Sequence, residues 1–347
     1  MTLASRLPVF TWDRIAPLRD KADQHPGGPV DLSVGTPVDP VPDLIREALA
    51  GASDSPGYPA TWGTPRLRAA AAGWLARAHG VQVAPDDVLP VIGTKELIAW
   101  LPAMLGLGPG DVVVHPELAY PTYDIGARLA GATAVASDQL PPDRLAALVE
   151  QARERGAVLA SDECYISLGW ETSPVSVLDP AICGPSHDGI LAVHSLSKRS
   201  NLAGYRAGFV TGDPALVADL LAIGKQAGMM VPGPVQAAMT VALEDDEHAR
   251  EQRERYGRRR SVLREAFVSA GWTVDHSEAG LYLWVTHPVH DCWSAAELLA
   301  AQAGILVAPG ELYGPAGARH VRVALTATDE RMAAAADRLA TLRPLLP

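Results

Sequence analysis

The chain has 347 residues, of which nearly half are apolar, so it is long enough for two domains with sizeable cores. Its net charge of −11 argues against nucleic-acid binding through phosphate contacts. Its three cysteines form no CxxC pair and the sequence shows no signal peptide or membrane span. We therefore expect a cytoplasmic protein without a nucleic-acid or membrane partner.

Short apolar runs alternate with helical patterns through the middle of the chain, which is typical of a doubly wound α/β domain with a mainly parallel sheet. The predicted strands are residues 87–92, 111–115, 132–136, 157–161, 190–195 and 207–211. A helix is predicted over 142–155. Because ligands of such sheets bind at the carboxyl ends of the strands, we expect functional residues directly after them.

The pattern changes after residue 235. A long helix is predicted over 235–271, and its run EQRERYGRRR is typical of a solvated helix face with ion pairs. Strands at 280–285 and 320–325 and an alanine-rich final helix follow. The predicted organisation is a large domain of residues 36–235 and a small α+β domain of residues 1–35 and 236–347. Within the small domain, we expect the proline-containing N-terminal segment to pack on the C-terminal part.

The strongest chemical signal is the run from Ser195 to Gly208, which carries Lys198 and Arg206 just after a predicted strand. A lysine in that position can be desolvated, which lowers the pKa of its amine and frees it to form a Schiff base. The Ser195 hydroxyl and the Arg206 guanidinium can both bind a phosphate. The run therefore predicts a functional site rather than a surface loop with an ordinary lysine.

Two further stretches follow predicted strands. Asp162 and Tyr165 belong to the sequence Asp-Glu-Cys-Tyr, in which Asp162 could alternatively cap a helix. Gly93-Thr94-Lys95 opens a predicted helix, whose first backbone N–H groups can bind phosphate. Alone, this second motif is weak, because many strand-to-helix turns contain Gly-Thr.

The run HSLSKRSNLAGYRAGF resembles the lysine signature of the class I/II aminotransferases, which belong to the fold-type I pyridoxal-phosphate enzymes. Further stretches resemble the actinobacterial N-succinyldiaminopimelate aminotransferases, namely LSVGTPVDPVP, PELAYPTYDIGARLAGA, HSEAGLYLW and HVRVALTATDE. This likeness extends over nearly the whole chain. It implies a fold-type I α/β architecture, pyridoxal 5′-phosphate as cofactor, and small amino acids and 2-oxo acids as substrates.

The resemblance also implies roles for individual residues. Lys198 is the Schiff-base lysine, Asp162 pairs with the pyridine nitrogen, and Tyr165 hydrogen-bonds the ring hydroxyl. A carboxylate beside the nitrogen keeps the ring protonated, so that the ring can accept electrons. Tyr120 stacks on the ring, the alternative being a tyrosine of the core. The residues expected at the phosphate are Gly93, Thr94, Lys95, Ser195 and Arg206.

Three more positions resemble residues of the family. Tyr58 matches a tyrosine that reaches the cofactor phosphate of the partner subunit, which implies a homodimer with shared active sites. Gly35 matches a glycine on the substrate side, and Arg322 matches the arginine that binds the substrate α-carboxylate, a task suited to its bidentate fork. The spacing of His287 and His290 would allow a metal site, but no other ligand cluster accompanies them, so we expect a surface loop and no metal.

The chain departs from the family pattern after Asp138. The family has an Asn-Pro-x-Gly motif in this region, and its asparagine hydrogen-bonds the ring hydroxyl of the cofactor. Here a strand with its flanking loops, roughly two dozen residues, is missing. Asn201 is the only asparagine in the chain, so realignment supplies no replacement, and Asp138 and Gln139 are the nearest polar alternatives.

The missing strand is internal to the family's sheet. An internal gap would leave two rows of unpaired backbone groups, which is costly. We therefore expect that residues 132–136 move into the vacant position or that the flanking strands close up, leaving a sheet with one strand fewer.

The expected reaction exchanges an amine between glutamate and N-succinyl-2-amino-6-oxopimelate, in diaminopimelate and lysine biosynthesis. Lys198 would act in it as general base and acid. Two alternatives remain open: a pyridoxal-phosphate enzyme of other specificity, such as a lyase or a specialised biosynthetic enzyme, and a catalytically impaired remnant.

Overall fold

A computed structural model describes residues 2–138 and 144–342 of the chain. The strands are β1 (Val30–Asp31), β2 (Val88–Ile92), β3 (Val112–Pro116), β4 (Thr133–Ser137), β5 (Leu159–Asp162), β6 (Ile190–Ser195), β7 (Ala207–Gly212), β8 (Thr273–Asp275), β9 (Tyr282–Thr286), β10 (Ile305–Leu306), β11 (Ala308–Pro309) and β12 (His320–Ala324). The helices are α1 (Ala16–Asp23), α2 (Asp43–Gly51), α3 (Pro65–His79), α4 (Thr94–Met104), α5 (Thr122–Ala130), α6 (Leu145–Glu154), α7 (Pro180–Cys183), α8 (Leu196–Arg199), α9 (Pro214–Ala227), α10 (Gly233–Glu244), α11 (Glu247–Ser269), α12 (Cys292–Ala303) and α13 (Asp329–Thr341). Short 3-10 helices lie at Leu3–Arg6, Thr11–Ile15, Pro85–Asp87, Ala203–Tyr205, Gly310–Tyr313 and Pro315–Gly317. The predicted start of the helix at 142–155 and the polar alternative Gln139 lie outside the described residues.

A four-stranded sheet in the order β2-β7-β6-β5 forms the centre of the large lobe. β5 and β6 run parallel, whereas β7 runs antiparallel to β6 and β2. β6 and β7 are buried along their whole length, because helices such as α4 and α9 pack against this sheet. The parallel pair brings Asp162, at the end of β5, and Lys198, just after β6, to the same edge of the sheet.

The strands β3 and β4 form a separate two-stranded parallel sheet. The expectation that residues 132–136 would move into the vacant position, or that the flanking strands would close up, is wrong for the described part of the chain. β4 stays beside β3 because the nine-residue helix α5 is a short crossover that returns the chain to the neighbouring position. Within the described residues, β3 and β5 are not paired with each other, so the central sheet is divided.

The division leaves apolar strand residues in water. Val112 and Val114 of β3 and Val135 of β4 are exposed, although valine favours packed strand positions. Helix α5 ties the small sheet to the rest of the lobe by packing along α4. A side chain at Gly126 would lie 2.8 Å from the backbone oxygen of Ile98, so this close helix contact requires glycine.

The second lobe is built around the antiparallel sheet β11-β12-β9-β8. The N-terminal segment packs here, as expected, because β1 pairs with β10 and α1 packs on α12. The single helix predicted over 235–271 is wrong, since α10 and α11 are separate helices. The break has a local cause: Asp245 is extended, and its carboxylate accepts a hydrogen bond from the backbone N–H of His248 in the first turn of α11.

The two lobes have separate hydrophobic cores. One core surrounds the antiparallel sheet and takes in N-terminal residues such as Ile15 and Leu32, and the others lie on either side of the four-stranded sheet. The domain boundaries at 35–36 and 235–236 stay a prediction that these separate cores support. Within the described residues, no helix has the length and apolar character needed to cross a membrane.

Candidate active site

Lys198 lies at the carboxyl end of β6, in the single turn of helix α8. The Oγ of Ser195 caps that turn by accepting a hydrogen bond from a backbone N–H two residues later, at 3.1 Å. The Lys198 ammonium donates to the backbone oxygen of Gly35. Burial lowers the pKa of Lys198 to about 8, and the charges of Arg322 and Arg206 act in the same direction. The amine is therefore available as a nucleophile close to neutral pH.

The lowered pKa of Lys198 can be measured on the protein without cofactor. Competitive acetylation, followed by peptide mass spectrometry, should give a half-maximal reactivity of Lys198 at a pH of about 8. Only the unprotonated amine reacts, so reactivity should fall about tenfold for each pH unit below that midpoint. In the urea-unfolded chain the midpoint should return to the ordinary lysine pKa of 10.5. A folded-state midpoint equal to the unfolded one would contradict the burial of this amine.

Asp162 is held from two directions. Its Oδ1 accepts a hydrogen bond from the backbone N–H of Cys164 at 3.2 Å, and its Oδ2 accepts one from the hydroxyl of Tyr123 at 2.9 Å. The first contact is a local turn bond of the kind that the helix-cap alternative anticipated. The second contact was not anticipated from the sequence, and the only signal for it is that Tyr123 follows Tyr120 by one helical turn.

The start of α4 faces the guanidinium of Arg206. Gly93, the residue before this helix, has a φ of +74°, and a side chain there would collide with the guanidinium. Within the described residues, no side chain caps α4, which leaves its first N–H groups available to an anion. Gly93, Thr94 and Arg206 thus form a cradle for an anionic group. The Lys95 ammonium points elsewhere, to a position 5.4 Å from the ring centre of Phe10.

Tyr120 and Tyr165 follow β3 and β5. The Tyr120 ring makes an edge-to-face contact with Tyr123, with ring centres 6.1 Å apart. The Tyr165 ring lies 6.2 Å from that of Tyr282, which belongs to β9 of the other lobe. Burial raises the pKa of both the Tyr120 and the Tyr165 hydroxyl, so both groups stay protonated and can donate hydrogen bonds.

Arg322 of β12 is surrounded by three aromatic rings, those of Trp12, Tyr282 and Tyr313, which we call the aromatic surround. Its Nη2 donates to the backbone oxygen of Ser33 at 2.8 Å, close in sequence to Gly35. Its guanidinium carbon is 4.8 Å from the ring centre of Tyr313, and the rings of Trp12 and Tyr282 lie at 5.6 and 5.7 Å. These three aromatic residues were not anticipated from the sequence: Trp12 and Tyr282 come from distant parts of the chain, and Tyr313 precedes Arg322 by a loop without a recognisable motif.

The predicted site residue Tyr58 and the histidine pair, for which we expected no metal site, are separate from this group. Tyr58 is 96% exposed and contacts none of the site residues above within the described part of its own chain. His287 and His290 have ring centres 4.6 Å apart, and Nδ1 of His287 accepts hydrogen bonds from the backbone N–H groups of Val289 and His290. The described residues contain no group of three or more side chains arranged to hold a metal ion.

Comparisons with known proteins identify relatives along most of the chain. The family model described as aminotransferase class I and II matches residues 28–138 and 137–339. The chain is 59% identical to the probable aminotransferase Rv1178 of Mycobacterium tuberculosis, over 97% of this chain and 86% of that protein. It is 57% identical to the 4-dedimethylamino-4-oxo-anhydrotetracycline transaminase OxyQ of Streptomyces rimosus, over 96% of this chain and 99% of that protein. A solved aminotransferase structure from Neisseria meningitidis superposes with a TM-score of 0.88 at 28% identity, over 99% and 100% of the two chains.

These matches also bear on the length of the chain. The alignments to the two curated relatives extend over 364 and 357 positions, more than the 347 residues of this chain. Both relatives therefore have residues without a counterpart here. The family match consists of two pieces that meet at residues 137–138, directly after β4 and next to the divided sheet.

Proposed function

The chain belongs to the class I and II aminotransferases, and on this premise we propose that it exchanges an amino group between glutamate and N-succinyl-2-amino-6-oxopimelate. The family depends on pyridoxal 5′-phosphate, and the fold-type I architecture expected from the sequence is confirmed by the structural neighbours. The observation that carries the proposal is the convergence of Lys198 and Arg322 on the segment that contains Ser33 and Gly35, to which both side chains donate hydrogen bonds.

The residues of the site fit the cofactor. The Gly93–Arg206 cradle at the start of α4 suits its phosphate, because only a glycine leaves room for the guanidinium there. Asp162 suits its ring nitrogen, and Lys198 has the lowered pKa that covalent attachment requires. Thr94 and Ser195 add hydroxyls to the phosphate set, and Lys95 adds its backbone N–H in the first turn of α4, while its side chain points to Phe10.

When bound, the cofactor carries the amino group and withdraws electrons from the substrate Cα. The side chains of the protein move the proton, bind the substrate and position the cofactor. Lys198, once its amine is free, removes the proton from the substrate Cα and returns a proton at the end of the transfer. Arg322 binds the substrate α-carboxylate with its remaining N–H groups, and the aromatic surround excludes water and strengthens that ion pair. Asp162 would accept a hydrogen bond from the protonated ring nitrogen and keep it protonated, while Tyr165 would donate to the ring hydroxyl and Tyr120 would cover the ring.

The homodimer and the cytoplasmic location belong to the same proposal. A tyrosine that is 96% exposed, as Tyr58 is, has its ring free to enter a neighbouring molecule. We propose that it reaches the phosphate of the partner subunit, so that each active site is completed by both chains. The three free cysteines are in keeping with a reducing compartment.

The ring hydroxyl of the cofactor would have one partner fewer than in the family. Asn201 is not available as a substitute, because its side-chain amide donates to Gln252 at 3.0 Å and its side-chain oxygen accepts from Tyr256 at 3.2 Å. Tyr165 alone would then hold the ring hydroxyl. This loss weakens the site and keeps the lyase and the impaired remnant as alternatives.

A second candidate acceptor is a fused-ring ketone. The name of the Streptomyces rimosus relative describes the amination of an oxo group on an anhydrotetracycline. The observation that favours such a substrate here is the wall of Trp12, Tyr282 and Tyr313 around Arg322, since flat aromatic surfaces stack on ring systems.

The proposal is tested with the loaded enzyme and glutamate, followed by each acceptor in turn. We expect 2-oxoglutarate from glutamate alone, in an amount equal to the enzyme, and continued turnover only with the correct acceptor. Arg322→Lys should lower kcat/KM for glutamate about 100-fold, equivalent to about 2.7 kcal/mol, because the bidentate fork is lost while the charge stays. Arg319→Lys, a change at a nearby exposed arginine, is the matched control and should behave as wild type. Absence of 2-oxoglutarate would exclude glutamate as the amino donor and overturn the proposed reaction, and turnover with the fused-ring ketone alone would replace the first acceptor by the second.

A further inference from the structure

Tyr123 reaches the site from the separate two-stranded sheet. It lies in the first turn of α5, the helix that connects β3 with β4, and its hydroxyl donates to Oδ2 of Asp162 at 2.9 Å. Asp162 ends β5 of the four-stranded sheet. The hydrogen bond therefore joins the two parts of the divided sheet at the edge where the candidate active site lies.

The Tyr123 side chain is held in place before any ligand binds. Its ring makes an edge-to-face contact with Tyr120, and α5 packs closely on α4 at Gly126. Burial, followed by the charge of Asp162, raises the pKa of the Tyr123 hydroxyl well above its ordinary value. The hydroxyl is thus a permanent donor, and the carboxylate can only be the acceptor.

Asp162 has little else to fix its side chain. The residue is exposed, and its other described hydrogen bonds are local ones to Cys164, the longer one from the backbone N–H and one with the thiol. Contacts to one near neighbour in the chain leave a carboxylate on an edge strand considerable rotamer freedom. The bond from Tyr123 removes that freedom and occupies Oδ2, which leaves Oδ1 with a lone pair free.

We propose that Tyr123 is the positioning residue for Asp162: its hydroxyl fixes the carboxylate so that Oδ1 faces the ring nitrogen of the cofactor. The proposal rests on the proposed function, because it takes Asp162 as the partner of that nitrogen. Tyr123 contacts neither substrate nor cofactor in this role. A purely structural role, in which the hydroxyl only ties the two sheets together, is the competing explanation.

The test follows the ring nitrogen itself rather than turnover. Wild type and Tyr123→Phe are loaded with pyridoxal phosphate labelled with ¹⁵N in the ring, and the nitrogen chemical shift is recorded against pH. We expect the pH at which the nitrogen loses its proton to fall by about one unit in Tyr123→Phe, a tenfold change in the protonation equilibrium. Cofactor dissociation should become about tenfold faster, because a hydrogen bond to a charged group is lost.

Three further variants separate the possible outcomes. Asp162→Asn should lower the midpoint, the pH at which the ring nitrogen loses its proton, more than Tyr123→Phe does. If Asp162→Asn has no effect on this midpoint, the assignment of Asp162 and the proposed site are wrong. Tyr123→Gln supplies another donor and should recover part of the midpoint. Tyr256→Phe removes a hydroxyl that donates to Asn201 at 3.2 Å and should lower the melting temperature without moving the midpoint. If Asp162→Asn moves the midpoint and Tyr123→Phe does not, or if Tyr256→Phe moves it equally, the positioning role is overturned.

Discussion

Lys198→Ala is expected to abolish amino transfer. Among the site residues that the structure describes, its side chain alone can both attach the cofactor covalently and move a proton at the substrate Cα, so its loss removes two functions at once. We expect kcat to fall on the order of 10⁴-fold, equivalent to about 5 kcal/mol. The direct measurement is borohydride reduction of the loaded protein followed by peptide mapping, which should show a pyridoxyl group on Lys198 in wild type and none in the variant.

The matched control for this substitution is Lys225→Ala. Lys225 is an exposed lysine in the last turn of α9, away from the strand ends. It should retain both the label on Lys198 and the activity of wild type. A wild-type label on any other lysine, or a Lys198→Ala protein that still produces 2-oxoglutarate from glutamate at the wild-type rate, would show that the attachment site has been misassigned.

The sequence located the parts of the site that depend on local chain geometry. Gly93 directly follows β2, Lys198 lies in the turn after β6 and Asp162 ends β5. Strand ends of one sheet meet at one edge, so the proximity of these residues could be inferred without coordinates. Arg206 precedes β7 and reaches this edge because β7 runs antiparallel to β6, whereas the mainly parallel sheet expected from strand alternation would have placed it at the opposite edge.

Contacts between distant parts of the chain could not be predicted. Trp12 meets Arg322, 310 positions later, only because β1 pairs with β10 and carries the N-terminal segment across the small lobe. Tyr123 meets Asp162 across the division of the central sheet, a gap that the sequence indicated but that we expected to be filled or closed. The break between α10 and α11 was hidden because the helical pattern continues on both sides of Asp245.

The divided sheet has a simple physical origin. A parallel strand needs a crossover of about a dozen residues or more to enter an internal position, and only residues 138–144 lie between the end of β4 and the start of α6. The longer alignments of the relatives, and the junction of the family match at 137–138, support our proposal that the missing strand belongs there.

Insertion of the missing segment is expected to have the second large effect. A chimera would receive, after Asp138, the extra residues of the Streptomyces rimosus relative, in place of the short connection to α6. We expect a new strand between β3 and β5, which covers Val112 and Val114 and pairs both open edges. The free energy of unfolding should rise by several kcal/mol, and kcat/KM by about tenfold if the strand also supplies a donor to the ring hydroxyl.

Hydrogen exchange distinguishes a new strand from a merely longer loop. In the chimera, the backbone amides on the open edges of β3 and β5 should become protected, whereas a glycine-serine insert of equal length should leave them exchanging rapidly and the stability almost unchanged. Equal protection in both insertions would mean that the division of the sheet does not arise from a missing strand. A chimera that gains stability but not activity would instead show that Tyr165 holds the ring hydroxyl adequately on its own, and that the short chain is already a complete transaminase.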